Sequence, residues 1–523
     1  MKKKRTNKSK KLKPKYNIFV SLFTILSSIF LIYQILLLGP IEPIIRYVII
    51  FIIIGIDFII FKKSFKKTKS IFITLCVFFS IINIVLGFGI NYIYSLVDGV
   101  NKDRIVYSTS LITKNNGEIL ELDDVVNKKI GILDDVTSIE NYILASDMIE
   151  ENKLKDDNEI VKYDNLTSML HDLYNGDIDL MFISSNYKSM FQGTEEYDNI
   201  SNEVISIVDS EKSIKKEDSK SDYIKSDGKS ITKPFTVLLM GVDSEVDGMI
   251  KNASNGDSLI LLTFNPSTLN TTMLSIPRDS YVPIACFKNK GKSKLTHAGW
   301  YGSSCMIEPI EIFLDVNIDY YVKINFKGVV ILVDTLGGVT VDVPKDLCTD
   351  DSNRVGKVCI KKGVNKLNGE EALVLARNRY NLARGDLDRG NNQQLLLKAL
   401  LNEVTNISSV TQITDILSTI SNNLDTNMTT NQILSLYNIL KDIISAGRNN
   451  GKDIIAIQKL ELVGDGKTLY DNYSKLNLWN YVLRDESIEE VSQAMQDNLG
   501  NNKLIKTFEY SINEKYIQKS IGK

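Results

Sequence analysis

The sequence predicts a membrane-anchored α/β protein with three transmembrane helices and two α/β units outside the membrane. A basic tail followed by three long apolar runs predicts the anchor, and alternating strand-like and helix-like stretches on either side of a charged segment predict the two units. A chain of 523 residues has room for two or three domains. Its 62 Lys and Arg nearly balance its 64 Asp and Glu, so we expect no nucleic-acid partner.

The anchor lies in residues 17–97, after a basic tail at 1–16. The apolar runs cover residues 17–39, 43–61 and 71–97. Each is long enough to cross a hydrocarbon core of about 30 Å as a helix. A cleaved signal peptide would account for the first run but not for the other two.

Lysines set the orientation of the anchor. They collect in the tail and in residues 62–70, whereas the loop between the first two runs has none. The positive-inside rule therefore predicts a cytoplasmic N-terminus and an extracytoplasmic chain from residue 98 onward. A nucleic-acid arm is the alternative reading of the tail, but an apolar run follows it directly. Arg46 and Asp57 lie near the ends of the second run, where they can snorkel, which disfavours a transport role.

The first outer unit, residues 98–208, is predicted to be a small α/β accessory domain. Strands at 128–135 and 177–185 flank helices at 138–152 and 166–176. This pattern weakly resembles one lobe of an extracellular solute-binding protein, and a spacer without a ligand is the alternative. His171 is expected to be a surface helix residue. Residues 209–232 are charged and serine-rich, and are predicted to be a linker.

The second outer unit, residues 233–523, places carboxylates and an arginine at strand ends. Asp243 follows the strand "FTVLLMGV", Asp257 begins the next strand, and Arg278 and Asp279 follow a third. Ligands of open α/β sheets bind beyond the carboxyl ends of strands. Carboxylates without a histidine or cysteine cluster suit Mg²⁺, so we expect Mg²⁺ to be held by Asp243 and Asp257.

A second cluster lies in "RNRYNLARGDLDRGNNQQ", residues 377–394. Asn368 and Glu371 form a capping-box pattern for a helix that ends near Arg377. Asp386 can cap a second helix, with its leucines (Leu396, Leu397, Leu400 and Leu401) expected to pack on the sheet. Arginine forks and a helix N-terminus favour binding of a multiply charged anion. A solvated helix face with ion pairs to Asp386 and Asp388 is the alternative.

Seven motifs occur in the order and approximate spacing of the LytR-CpsA-Psr family. They are "LLMGVDS", "GDSLILLTFNP", "MLSIPRDSYV", "KLTHAGWYG", "YYVKINFKGVVILVDTLGGVTVDV", "LNGEEALVLARNRY" and "RGDLDRGNNQQLLLKAL". The resemblance is strong over residues 234–405 and looser to about 500. Three membrane helices and a small outer domain also resemble a capsule-associated branch of that family.

This resemblance implies an α/β/α sandwich with an apolar pocket for a lipid tail. It also implies a phosphotransferase that moves a glycopolymer of the teichoic acid or capsular type from its polyprenyl-pyrophosphate carrier to peptidoglycan. Donor, acceptor and membrane lipid are the implied partners. The identity of the polymer does not follow from the sequence. A non-enzymatic receptor or scaffold for a lipid-linked or cell-wall ligand is the alternative.

The resemblance also assigns residues, position by position. Asp243 and Asp257 match the Mg²⁺-associated carboxylates. The pyrophosphate-binding positions are matched by Arg278, Arg377, Arg379 and Gln393, and further active-site positions by Lys294, Asp386 and Arg389. Asn255 departs from the pattern, because the family commonly has arginine two residues before the second carboxylate. Asp243 and Asp279 are both candidate bases for the acceptor hydroxyl. No P-loop, G-x-S-x-G motif or zinc spacing occurs.

Four of the five cysteines lie outside the membrane, where disulfides are permitted. Four cysteines allow three pairings. The local pairs, Cys286 with Cys305 and Cys348 with Cys359, are favoured, and free buried thiols are the alternative. The fifth cysteine, Cys76, lies in the third apolar run.

Overall fold

The computed structural model describes residues 14–39, 42–66, 70–100, 104–191, 196–197, 199–215, 231–242, 253–287, 291–349, 356–379, 382–404, 407, 410–450 and 456–500. The chain forms two compact units. One comprises residues 1–99, 228–232 and 428–442, and the other comprises 100–227, 233–427 and 443–523. Residues 428–442 therefore belong with the membrane helices, which corrects the predicted domain at 233–523.

The first unit contains three long apolar helices, α1 (Pro14–Leu37), α2 (Pro43–Ser64) and α3 (Ser70–Asp98). Each is long and apolar enough to cross a membrane. Many of their large apolar side chains are exposed, as expected of a surface that lipid covers. The predicted spans are confirmed, and the protein is membrane-anchored.

Polar side chains join these helices. Asn83 Nδ2 donates to Ser28 Oγ at 2.9 Å, and Ser28 Oγ donates to Asp57 Oδ1 at 3.0 Å. Asp57 thus bonds a neighbouring helix, where the sequence had suggested snorkelling, because hydrogen bonds between helices satisfy polar groups inside a bilayer. Arg46 donates to the backbone carbonyl of Leu38 at 3.1 Å.

A further helix begins at Thr430, and its first turns belong to this unit. Lys441 forms an ion pair with Glu42 in the loop between α1 and α2. Thr430 donates a hydrogen bond to Asp98 at the end of α3. Residues 428–442 are therefore fastened to the ends of the membrane helices.

The accessory domain, residues 104–215, is a five-stranded mixed sheet with short helices. Its strands are β1 (Arg104–Lys114), β2 (Lys129–Leu133), β3 (Glu159–Tyr163), β4 (Leu180–Ser184) and β5 (Val204–Lys215), in the order β3-β2-β4-β1-β5. Its helices are α4 (Leu144–Glu151), α5 (Leu154–Asp157), α6 (Leu166–Asn175), α7 (Tyr187–Met190) and α8 (Ile200–Glu203). β2 runs parallel to β3 and β4, whereas β1 is antiparallel to β4 and β5.

The four predicted elements of this domain are present, although a π-helical turn, Ile139–Ile143, opens the first helix. His171 is confirmed as a surface residue of α6, 3.7 Å from Glu196. The predicted linker start was wrong, because residues 209–215 are the second half of β5. Backbone bonding to β1 orders this edge strand although its side chains are largely exposed and polar.

The C-terminal domain, residues 233–500 without 428–442, is built on a six-stranded mixed sheet. Its strands are β6 (Phe235–Val242), β7 (Ser258–Asn265), β8 (Asn270–Ser275), β11 (Tyr320–Asn325), β16 (Leu424–Thr426) and β17 (Ala456–Glu461), in the order β16-β11-β6-β7-β8-β17. β7 is antiparallel to both neighbours, β11 is parallel to β6 and β17 is parallel to β8. Four strands therefore end at the same edge, where β7 begins.

Short strands and helices complete this domain. The strands are β9 (Tyr281–Pro283), β10 (Lys292–Lys294), β12 (Val339–Val343), β13 (Leu347–Cys348), β14 (Cys359–Ile360), β15 (Gly363–Leu367), β18 (Gly464–Asp471) and β19 (Leu476–Leu483). The helices are α9 (Leu295–Ala298), α10 (Ser303–Leu314), α11 (Phe326–Thr335), α12 (Gly369–Arg377), α13 (Asp386–Val404), α14 (Val410–Ile420), α15 (Thr430–Asn450) and α16 (Asp485–Gly500).

Helices cover both faces of the sheet, which confirms the α/β/α arrangement. Leu238, Leu261 and Leu274 pack on one face with residues of α10 and α16. On the other face, Gln394 of α13 donates to the carbonyl of Met273 at 3.3 Å.

The expected packing on the sheet was wrong for two of the four α13 leucines, Leu396 and Leu400. Leu396 and Leu400 pack among α11, α12 and the β12–β15 ribbon. Gly390 and Gln394 face the sheet, and a Cβ at Gly390 would collide with Ser275. The close approach of α13 to the sheet at this point requires glycine, which has no Cβ.

Both favoured disulfides are present. Cys286 is bonded to Cys305, and Cys348 is bonded to Cys359 across the β13–β14 pair. Cys76 is a buried free thiol in α3.

Candidate active site

Charged side chains meet at the edge where β8 and β17 end and β7 begins. Asp257 directly precedes β7, Arg278 and Asp279 follow β8, and Glu461 is the last residue of β17. The alternation of strand direction brings these distant residues to one edge. Asp243, which follows β6, lies outside the described residues.

Arg278 lies at the centre of this edge. It forms an ion pair with Asp257, and both side chains are largely buried. Burial opposes its charge, but the carboxylates of Asp257, Asp279 and Asp386 outweigh this effect and raise its pKa. Its Nε–H is buried and has no hydrogen-bond partner among the described residues. One donor of this buried guanidinium is therefore unused within the described structure.

Asp279 is held by Lys294, 2.9 Å away on the neighbouring β10 strand. Burial alone would raise the pKa of Asp279, but Lys294 and Arg278 outweigh it and lower the pKa overall. Asp279 is therefore a carboxylate at neutral pH, fixed in place by its ion pair with Lys294.

α12 delivers the first arginine of the 377–394 segment. Asn368 and Glu371 form the predicted capping box, with the Asn368 N–H donating to Glu371 at 2.9 Å and the Glu371 N–H donating to Asn368 at 3.0 Å. The helix ends at Arg377, whose guanidinium lies 4.2 Å from the ring centroid of Phe326. Stacking fixes the plane of this guanidinium.

The first turns of α13 supply three more predicted residues. Arg389 forms an ion pair with Asp386, and its Nη2 donates to the carbonyl of Asp257 at 2.9 Å. Burial lowers the pKa of Arg389, and the charges of Arg278 and Arg379 act in the same direction. Gln393 accepts a hydrogen bond from Ser258 Oγ at 2.8 Å.

Asp386 is a largely buried carboxyl group. Burial raises its pKa, Asp279 and Asp257 add to this effect, and Arg389 and Arg278 oppose it. Asp386, Asp257 and Asp279 thus crowd around shared arginines. Such mixed clusters of buried charge are typical of functional sites.

Two participants were not predicted from the sequence. Arg384 donates to Asp388 at 2.9 Å and forms an ion pair with Glu461. The alternative of ion-paired arginines therefore holds for Arg384. Glu461 could have been predicted, because it is a carboxylate near the end of the apolar strand "IIAIQKLEL". It was missed because it lies far along the chain from the other motifs.

These residues surround a narrow open cleft. Asp257, Asp386, Arg389, Gln393 and Glu461 line it. The ion pair with Asp257 connects the cleft to Arg278. Asp279, the next residue in the chain, forms its own ion pair with Lys294. Arg377 and Arg379 are not part of its lining.

Residues 197–497, more than half of the chain, match the LytR_cpsA_psr family model. The chain belongs to the LytR_cpsA_psr family. The match covers nearly the whole C-terminal domain and confirms the resemblance found in the motifs.

Several proteins of similar sequence have names that state an activity. TagU of Bacillus licheniformis, named polyisoprenyl-teichoic acid–peptidoglycan teichoic acid transferase, is 36% identical over 269 residues, which are 51% of this chain and 78% of TagU. TagU of Bacillus subtilis, which bears the same name, is 35% identical over 269 residues with the same coverage. The crystal structure of Bacillus subtilis TagV is 32% identical over 51% of this chain and 97% of TagV, with a TM-score of 0.43.

Proposed function

We propose that this LytR_cpsA_psr protein transfers a glycopolymer from a polyprenyl-pyrophosphate carrier to a peptidoglycan hydroxyl. In the reaction, the hydroxyl oxygen bonds to the sugar-side phosphorus, the bond from that phosphorus to the lipid phosphate breaks, and the hydroxyl proton passes to a base. Polyprenyl phosphate leaves. The names of the TagU relatives support this reaction class.

One observation carries the proposal, namely the buried arginines at the strand-end cleft. Arg278 keeps a buried Nε–H without a partner among the described residues, and Arg389 has a lowered pKa because it is buried near other cations. Such a group favours an anion with several oxygens, which guanidinium forks bind in a planar, two-pronged geometry. A pyrophosphate has this chemistry.

Transfer would be promoted mainly by charge. Arg278 and Arg389 would stabilise negative charge that grows on the transferred and leaving phosphates, because fixed donors in a buried site need no reorganisation. Asp279, with its lowered pKa and its Lys294 partner, suits orientation of the cations better than proton abstraction. Asp243 stays the other candidate base.

We further propose that Mg²⁺ binds at Asp257. Its carboxylate oxygens are ligands that suit this ion. Arg278 holds one of them in the structure, so Mg²⁺ would bind beside this ion pair. Among the described residues no group of three or more carboxylate, histidine or cysteine side chains is placed to hold a metal ion by itself. Mg²⁺ would therefore need phosphate oxygens and water to complete its coordination. Bound there, Mg²⁺ would supply positive charge against the phosphate oxygens, and Asp243 stays a predicted second ligand.

The lipid tail is proposed to follow the sheet face that α13 covers. Strand alternation turns Val237 and Leu239 away from the α10 and α16 side. In the β6–β7 pair they lie opposite Leu262 and Ile260. This apolar strip leads toward the charged edge, which suits a molecule with a hydrocarbon tail and a pyrophosphate head.

We propose that the N-terminus faces the cytoplasm and that both α/β domains face outward. The lysines at 62–70 support this orientation. A reporter fused after residue 68 should face the cytoplasm, and one fused at residue 220 should face outward. Full protection of residue 220 from protease in cells without an outer membrane would contradict it.

The activity test uses full-length protein in lipid nanodiscs with a polyprenyl-pyrophosphate-linked glycopolymer, peptidoglycan and Mg²⁺. We expect release of polyprenyl phosphate. Arg377→Lys and Arg379→Lys should each lower turnover by about 10²-fold, because lysine keeps the charge but loses the fork. Arg484→Lys, in the exposed pair with Asp465, is the matched control.

A receptor gives a different result in the same assay. It would bind the donor without releasing polyprenyl phosphate, and both substitutions would weaken binding alone. Normal transfer by both variants would show that Arg377 and Arg379 do not belong to the active site. Sugar analysis of walls with and without the protein would identify the polymer.

A further inference from the structure

Asn255 stands two residues before Asp257, where the family commonly has arginine. In the structure this side chain is buried, with 5% of its surface exposed. Its Oδ1 accepts a hydrogen bond from Trp300 Nε1 at 2.8 Å, and its Nδ2 donates to the carbonyl of Ser189. Both ends of the amide are therefore used inside the protein, and one of them reaches the accessory domain.

Other contacts between the two domains surround the Asn255–Ser189 hydrogen bond. Asn186 Nδ2 of the accessory domain donates to the carbonyl of Ala253 at 2.6 Å. The rings of Phe191 and Trp300 lie 5.1 Å apart. Ala253 and Trp300 are almost fully buried within the same apolar cluster as Phe191. The interface therefore combines aromatic burial with two amide hydrogen bonds.

The accessory domain makes these contacts with one particular edge. β2 and β4 are parallel, and Asn186, Ser189 and Phe191 follow the carboxyl end of β4. Asp135 follows β2 and adds to burial in raising the pKa of Tyr301. Small ligands of open α/β sheets bind at this kind of edge. Here the edge is covered by the C-terminal domain itself.

The contact reaches the active site through a short, tightly packed segment. The Ser254 N–H donates to the carbonyl of Gly299 at 3.0 Å, and a Cβ at Gly299 would collide with the carbonyl oxygen of Ser254. Two residues after Asn255 the chain reaches Asp257. Movement of the accessory domain would therefore shift the position of Asp257.

We infer that the strand-end edge of the accessory domain is a docking surface for residues 253–255 and Trp300, and that this docking positions Asp257. Asn255 is the positioning residue. Its amide joins Ser189 of the accessory domain to Trp300 of the C-terminal domain. The expected effect on catalysis rests on the proposed function, whereas the docking does not.

The test uses Asn255→Asp in full-length protein in nanodiscs. This nearly isosteric change keeps an acceptor for Trp300 but removes the donor to Ser189. Asn186→Ala attacks the same interface from the accessory side. Asn255→Arg restores the common family residue and puts a guanidinium in a buried interface. Asn199→Asp is the control, because Asn199 bonds Glu203 within the accessory domain.

Hydrogen exchange is the first measurement. In the three interface variants, peptides covering 184–191 and 253–259 should exchange about tenfold faster or more, because a buried hydrogen bond is lost and the interface opens. Peptides of β2 should not change, and the control should match wild type. Unchanged exchange in Asn255→Asp and Asn186→Ala would overturn the docking surface. This result is independent of turnover.

Kinetics are the second measurement. Asn255→Asp and Asn186→Ala should lower kcat about tenfold and leave KM for the lipid donor within about twofold, because displacement of Asp257 harms the transition state more than ground-state binding. Faster exchange with unchanged kcat would overturn the positioning role. A wild-type protein without turnover would refute the proposed function and leave the exchange result standing.

Discussion

The accessory and C-terminal domains both present loops at the carboxyl ends of strands, but the two edges differ in chemistry. The C-terminal edge carries Arg278, Asp279 and Glu461, which are joined by ion pairs to further charges. The accessory edge uses Asn186 and Phe191, and its contacts are with the protein itself.

This difference shows what converts a strand-end edge into a candidate active site. The geometry is shared, because parallel strands always bring their ending loops together. Buried charge is not shared, and it must be balanced by a ligand or by other charges. An edge with neutral amides and aromatic rings is stable as an interface, whereas an edge with crowded arginines and carboxylates suits a charged substrate.

The largest expected effect is at Arg278. Arg278→Lys should lower the transfer rate by about 10² to 10³-fold, because lysine lacks both the fork and the Nε–H donor. At the accessory edge, Asp134→Asn removes an exposed ion pair with Lys162 and should leave the rate unchanged. Release of polyprenyl phosphate measures both. Equal rates for Arg278→Lys and wild type would remove the contrast between the edges.

The disulfides should make the C-terminal domain, but not the accessory domain, depend on oxidation for its stability. Both lie in the C-terminal domain, and the accessory domain has no cysteine. Replacing Cys286 and Cys305 with serine should lower the free energy of unfolding of the C-terminal domain by about 3 kcal/mol. Denaturant unfolding can be followed by fluorescence, since both tryptophans, Trp300 and Trp479, lie in that domain.

Four alkylatable thiols outside the membrane in freshly isolated protein would contradict this pairing. Non-reducing mass spectrometry should instead find each of the two cysteine pairs joined. A reductant should shift the tryptophan transition and leave accessory-domain exchange unchanged.

The two histidines allow the pH dependence of stability to be compared between the two domains. His297 of the C-terminal domain is buried, stacks on Trp300 and has its Nδ1 2.8 Å from Ser293 Oγ. Burial lowers its pKa to about 4. Below its unfolded pKa of about 6.5, the unfolded chain binds a proton that the folded protein does not. Stability should therefore fall by about 3 kcal/mol as the pH drops from about 6.5 to about 4.

His297→Gln should remove this loss of stability. His171→Gln, on the exposed surface of α6, should retain it. Unfolding midpoints at pH 7 and pH 4.5 make the comparison, and the same pH dependence in His297→Gln and wild type would assign it to other groups.

The smallest expected effects are at two helix caps. Asn165 accepts a hydrogen bond from the Ser168 N–H at 2.7 Å in the accessory domain, and Asn368 accepts one from Glu371 at 3.0 Å. Each Asn→Ala change should cost about 1 kcal/mol of stability. Only Asn368→Ala should also slow transfer, because α12 ends at Arg377. Equal transfer rates in the two variants would separate α12 from the active site.

Local patterns in the sequence predicted most of this site. The capping box at Asn368, the position of Asp257 at the start of β7 and that of Arg278 after β8 all depend on neighbouring residues. The structure contains these three features. Glu461 was missed because only the pairing of β17 with β8 brings it to the edge. The hydrogen bond from Asn255 to Ser189 depends on the packing of two domains, which residue spacing does not encode.

The pairing of β1 with β5 has a consequence for the history of the chain. Arg104 lies opposite Lys215, so the chain enters and leaves the accessory domain at one point. A module with adjacent ends can be gained or deleted in one recombination event without rerouting the rest of the polypeptide. Deletion of the module would expose the surfaces of Asn255 and Trp300 that the accessory domain now buries.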